Sequence, residues 1–275
     1  MISVREPAVA GLFYPGLQGT LSQQVDELLL RAKTVPVRGV LKALIAPHAG
    51  YQYSGYTAAI AYKSLKNLAF DSVVVVGPSH REYFDGISVF SGDAFKTPLG
   101  EIPVDNDLRN IIVEQNNGIM LAEAGHREEH SVEVQLPFLQ RVLGRFSFVP
   151  IVMGDQRREY CDVLATALAR STEGRNVLLV ASSDLSHYHT YRDAVRLDKN
   201  VIELVEQYDP DTLLERLDQE EVEACGGGPI AAVMKAAKIL GATAAKSLFY
   251  CNSGDVTGEK ETVVGYLSAA LSQES

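Results

Sequence analysis

The sequence predicts an α/β fold, a single domain with a mixed, mostly parallel central sheet flanked by helices on both faces. Three observations predict it. Residues 72–76 carry four consecutive valines and 176–181 are almost as apolar, the unbroken pattern of strands buried on both faces. Such runs alternate with segments of helical periodicity, the βαβ rhythm that lays strands parallel and covers both sides of a sheet. Two runs also end in a Pro-containing turn that delivers a histidine, Pro47-His48 and Gly77-Pro78-Ser79-His80. In open α/β sheets the carboxyl ends of the strands are where ligands bind.

The elements follow in order. Residues 1–20 hold Pro7, Gly11, Tyr14, Pro15 and Gly16 and read as an irregular lead-in. Ser22 is then the expected cap of a helix to about 32, with Val25, Leu28 and Leu29 on one face. A linker precedes the first strand, 41–46, the His48 loop and a helix over 56–65 whose Ala58, Ala59 and Ala61 permit close packing. After the valine strand come short β pieces at 86–90 and 101–104, separated by the turn sequence Thr97-Pro98-Leu99-Gly100. A helix is expected over 105–115. The polar run 125–131 leads into a helix with Val134, Phe138 and Leu139 on its apolar face and Ser131 as expected cap. A strand over 146–153, a helix over 158–169 and the strand 176–181 follow, the last ending in Ser182-Ser183-Asp184-Leu185-Ser186-His187. Helices at 194–206, 210–217 and 229–240 and strands at 245–251 and 262–270 complete the chain.

Composition narrows the function. Of 275 residues, 46% are hydrophobic and 22% charged, ordinary for a globular chain with a sizeable core. The net charge of −10 and the absence of Lys/Arg clusters argue against a nucleic-acid partner. No run of 18 apolar residues and no basic-then-apolar leader is seen, so neither a membrane span nor a signal peptide is expected. Cys161, Cys225 and Cys251 are widely spaced without a CxxC pair, which points to a reducing, cytoplasmic setting.

The chemistry-bearing residues gather at predicted loops. His48 and His80, at what read as neighbouring strand ends, are the start of a metal site, and His187 joins them at a third strand end. Asp184 and His187 form a D-x-x-H pair with two open roles for Asp184: a helix cap, or a partner that orients the imidazole as an acid/base. His130 with Glu133 reads either as a loop brace or as a support for the site. Cys225 precedes three glycines and Pro229 near a helix start, where the dipole favours the metal-binding thiolate; a tight turn with an inert thiol is the alternative. Tyr14, Tyr51 and Tyr53 are candidate pocket walls with hydroxyls free for a substrate.

These residues resemble the Memo family. APHAGYQYSG (46–55), GPSH (77–80), EEHSVEVQLPF (128–138), SSDLSH (182–187) and CGGGPI (225–230) stand in the family's order across nearly the whole chain. The family is similar in fold to class III extradiol dioxygenases, which hold Fe(II) by two His and a Glu. The resemblance implies one metal ion on His48, His80 and Cys225, a cysteine standing where those enzymes have a carboxylate. It implies His187 as acid/base beside Asp184. Iron(II) or copper is the expected ion, with zinc possible; thiolate in place of carboxylate softens the site and shifts preference towards copper or zinc. Three functions are open: a metal-dependent oxidoreductase or dioxygenase-like enzyme on a small or peptidic substrate, a binding module for phosphorylated or anionic peptides using the imidazoles including His130, Arg192 and tyrosines, and a metal-assisted hydrolase. Microbial members accompany a radical S-adenosylmethionine protein, which implies such a functional partner.

Overall fold

The most apolar runs of the sequence become neighbouring strands that point the same way, in a computed structural model describing residues 3–274. In chain order the elements are β1 (Val4–Arg5), α1 (Gln18–Arg31), β2 (Val40–Ala46), α2 (Tyr51–Lys63), β3 (Ser72–Pro78), β4 (Ile87–Phe90), β5 (Ala94–Thr97), β6 (Gly100–Pro103), α3 (Asn106–Val113) and β7 (Ile119–Ala122). A 3-10 turn, Glu133–Gln135, leads into α4 (Leu136–Leu143), β8 (Phe148–Met153), α5 (Arg158–Thr172), β9 (Val177–Ser182) and β10 (His187–His189). Then come α6 (Tyr191–Glu206), α7 (Pro210–Asp218), α8 (Gly227–Ile239), β11 (Ala244–Asn252), α9 (Ser253–Thr257) and β12 (Val263–Gln273).

The main sheet runs β10-β12-β2-β9-β3-β8-β4-β7, with β11 also paired to β12. Its centre, β2-β9-β3-β8, is parallel, while β12 and β4 pair antiparallel at either side, so the sheet is mixed as expected. A small sheet, β1-β5-β6, lies apart. Strand β9 sits between β2 and β3. The His48 and His80 strand ends are therefore not adjacent, and the end of β9 that carries Asp184 falls between them.

Alternation of side chains along each strand builds two cores. Ala43, Ile45, Val74 and Val76 meet Leu164 and Leu168 of α5 and Val233 and Met234 of α8 on one face. Leu44, Ala46, Val73 and Val75 meet Val25 of α1, Ile60 of α2 and Phe138 of α4 on the other. Each fully buried valine of β3 contributes roughly 1.5–3 kcal/mol.

Among the differences from the sequence reading, three expected starts or caps fail for a tertiary reason. Helix α1 begins at Gln18 with no side-chain cap, which leaves Ser22 inside it. Helix α2 begins five residues early: the Tyr51 amide donates to the Phe13 carbonyl at 2.8 Å, satisfying a donor that a helix start leaves free. Ser131 caps nothing, because its hydroxyl donates to the Pro78 carbonyl. Strands β1, β5, β7 and β10, of two to four residues, went unseen because pairing partners distant in sequence define them. The three cysteines are free, and no helix among the described residues is long and apolar enough to cross a membrane.

Candidate metal centre

His48 lies two residues past β2, His80 two past β3 and Asp184 two past β9, so three parallel strands deliver them to one edge. Cys225 arrives from the turn before α8. That turn closes on β9 only because residue 226 is glycine: a Cβ there would strike the Ser182 carbonyl and lie 2.8 Å from Ser183 Cβ. Gln156, after β8, fastens the same turn by donating to the Cys225 carbonyl at 2.8 Å and accepting from the Gly228 amide at 2.9 Å. The outcome is a three-donor group. Ligand atoms of His48, His80 and Cys225 all lie within 4.8 Å of one another, and Cys225 Sγ is 3.2 Å from His48 Nε2.

Hydrogen-bond accounting fixes which nitrogen each imidazole offers. The Ser182 hydroxyl donates its proton to the Ser131 carbonyl and accepts from Gln135 Nε2. It can only accept from His48 Nδ1, 2.9 Å away, so Nδ1 carries the proton and Nε2 presents a lone pair. His80 Nδ1 is 2.9 Å from Glu129 Oε1, and a carboxylate can only accept. His80 Nδ1 therefore carries a proton, and Nε2 is the nitrogen left to face an ion. Both rings are set in the tautomer a metal requires.

Electrostatics keep His48, His130 and Cys225 uncharged and Glu129 ionised. Burial, with His80 adding to it, holds His48 down at about 3, and burial does the same to His130, also at about 3. Burial opposes the charge of Glu129, yet its hydrogen bond and charge interaction with His80 win and hold it at about 2. The Cys225 thiol is pushed up by burial and by the neighbouring Asp184 carboxyl, and burial raises Asp184 as well. Without metal Cys225 is a thiol. The thiolate expected from the helix start is overridden by the loss of solvent.

A cavity of about 570 Å³ opens over the group, lined among others by His48, His80, His130, Asp184, His187, Cys225 and Tyr53 and by no Lys or Arg. A larger cavity, about 850 Å³, sits at the opposite edge beside the starts of β2 and β9, away from these donors. Three candidate residues fall outside the site cavity. Tyr14 and Tyr51 are buried behind it, their hydroxyls donating to Glu133 and to the Val134 carbonyl. Arg192 is exposed on α6 and does not line it. Asp184 and His187 share the cavity but not a hydrogen bond: Asp184 accepts the His48 amide at 2.8 Å, and nothing caps a helix there. His130 stacks on His80 at 4.6 Å between ring centroids. Its expected partner Glu133 instead meets Arg5, Tyr14 and the amides of Ala8 and Val9.

Sequence reasoning missed Glu129, Ser182 and Gln135, which hold the two ligand rings. Glu129 stands in a charged run, Arg127 to His130, that looks solvated; its only signal was a carboxylate flanked by histidine beside a predicted strand end. His80, Glu129 and His130 themselves form a second close group. Glu129 Oε1 already accepts from His80 Nδ1 and the amides of His130 and Ser131, so it braces ligands rather than binding an ion.

Comparison with known proteins agrees with this architecture. A family described as "Memo-like protein" matches residues 5–270. The chain is 42% identical to a MEMO1 family protein of Methanosarcina barkeri, over 96% of this chain and 98% of that one. It is 36% identical to one from Thermotoga neapolitana, over 98% and 100%. Among solved structures, an uncharacterized Escherichia coli protein aligns with a TM-score of 0.58 at 15% identity, covering 84% of this chain and 99% of that one, a likeness of fold. The chain belongs to the Memo-like protein family.

Proposed function

We propose that the chain is a metal-dependent oxidoreductase, dioxygenase-like in its architecture, that holds one ion on His48, His80 and Cys225 and acts on a small or peptidic substrate in the cavity above them. One observation carries this reading: both imidazoles have their Nδ1 hydrogen-bonded, and ligand atoms of the two rings and of Cys225 lie within 4.8 Å of one another. Two nitrogens and one sulfur fit a single ion of the iron, copper or zinc kind and leave positions open to exogenous groups. When bound, iron or copper would supply electron transfer and Lewis acidity there; the redox reading favours these two over zinc, which has no redox chemistry.

The chain's own residues do the rest. Asp184 fixes the His48 backbone, and with it the angle of the ring. His187, on the cavity wall, is the group positioned to take or give a substrate proton. Tyr53, partly exposed at the wall, offers a hydroxyl and a ring face. The reading as an anion-binding module is disfavoured by the same geometry: the wall has no Lys or Arg, and His48 and His130 stay neutral near pH 7. The test is turnover of a compound panel by iron- and copper-loaded protein with and without oxygen. Oxygen-linked consumption of a compound supports the reading. Turnover that is indifferent to oxygen and equally fast with zinc would replace it with metal-assisted hydrolysis.

A further inference from the structure

The two imidazoles of the centre are backed by unlike groups. Behind His48 stands a neutral hydroxyl, Ser182. Behind His80 stands a buried carboxyl group, Glu129, whose Oε1 faces His80 Nδ1 and whose Oε2 accepts the His80 amide. Glu129 is 2% exposed and all four of its acceptor bonds go to the segments carrying His80 and His130: His80 Nδ1, the His80 amide, the His130 amide and the Ser131 amide. No Lys or Arg nitrogen lies within salt-bridge distance of it among the described residues, and the His80 ring, at 2.9 Å, is its nearest side-chain donor.

From this asymmetry we infer that Glu129 is the positioning residue of the centre: it makes His80 the stronger and more tightly held nitrogen donor, and leaves His48 the weaker one. The inference rests on the metal reading above for its consequence but not for its geometry. A carboxylate accepting from Nδ1–H pulls that proton, raises electron density at Nε2 and locks the ring's orientation; a hydroxyl does the same less strongly. Loss of such a partner costs about 10–100-fold in metal affinity.

Two measurements test it. In the metal-free wild-type protein, nitrogen-15 NMR of the imidazoles reads the tautomers directly. Both rings are expected as Nδ1–H, with the His80 proton further downfield than that of His48; an Nε2–H tautomer at His80, or the reverse order of shifts, overturns the inference without touching the metal reading. Cobalt(II) titration followed by thiolate-to-metal absorption then compares Glu129→Gln with Ser182→Ala. Glu129→Gln is expected to weaken binding by about 10–100-fold and Ser182→Ala by clearly less. Equal losses in the two variants overturn the inference alone. Failure of wild-type protein to give the thiolate band overturns the metal reading, and the consequence drawn here with it, while the NMR result still judges the hydrogen bonding. If Glu129→Gln does not fold, the wild-type proton shifts decide.

Discussion

Cys225 Sγ lies 3.2 Å from His48 Nε2, although 177 positions separate the two residues in the chain. The contact joins the loop after β2 to the turn before α8, two segments that share no local pattern. It exists because β2 and β9 are parallel neighbours and because the glycine turn after Cys225 closes against the end of β9.

Acid should unfold the metal-free protein earlier than its carboxylates alone would dictate. Burial holds His48, His126 and His130 each at about 3, whereas the unfolded chain has ordinary histidines near 6.5. The unfolded state thus binds protons that the folded state refuses, and stability is lost as pH falls from about 6.5 toward 3. Glu129, held at about 2, adds a further loss below about 4.5. Urea midpoints should fall steadily from pH 7 to pH 4.5, and less steeply in His126→Gln. Midpoints that stay flat across this range contradict the burial of neutral histidines.

Arg5 ties the amino-terminal segment to the turn bearing the site. Its guanidinium reaches Glu133 at 2.6 Å and the His126 and Glu129 carbonyls, and both partners of the ion pair are buried. Arg5→Ala strands a buried carboxylate, a loss of about 3–5 kcal/mol. Chemical denaturation should read that value; a change under 1 kcal/mol would mean the pair is not closed in solution.

Gly77, in β3, faces Ser131. A Cβ at this position would strike the Ser131 hydroxyl and lie 2.8 Å from Ser131 Cβ. Gly77→Ala should therefore cost about 1–3 kcal/mol of stability and push away the segment that carries Glu129 and His130. Weaker cobalt binding is expected alongside the lower urea midpoint. Normal binding in a destabilised variant would show that the segment moves without the ligands.

Much of this was legible in the sequence, unevenly. The strands β2, β3 and β9 announce themselves by unbroken apolar runs, and His48 and His80 by the Pro-containing turns that follow two of them. Cys225 reads from local chemistry only as one of two choices, and the family motifs decide for the metal-facing one. Strand order was hidden, since nothing within β9 says that it inserts between β2 and β3. Tyr51 looked like a loop residue because the bond that draws it into α2 comes from Phe13, far back in the chain. Glu129 looked solvated for the same reason: what buries it is the loop of His80, 49 positions away.

The central claim is that His48, His80 and Cys225 together hold one ion. Metal analysis of protein purified without added metal, set beside folded Cys225→Ser and His80→Ala, tests it most directly. A single ion per chain in the wild type, reduced to a small fraction in both variants, is the predicted result. Equal metal content in all three proteins would contradict it.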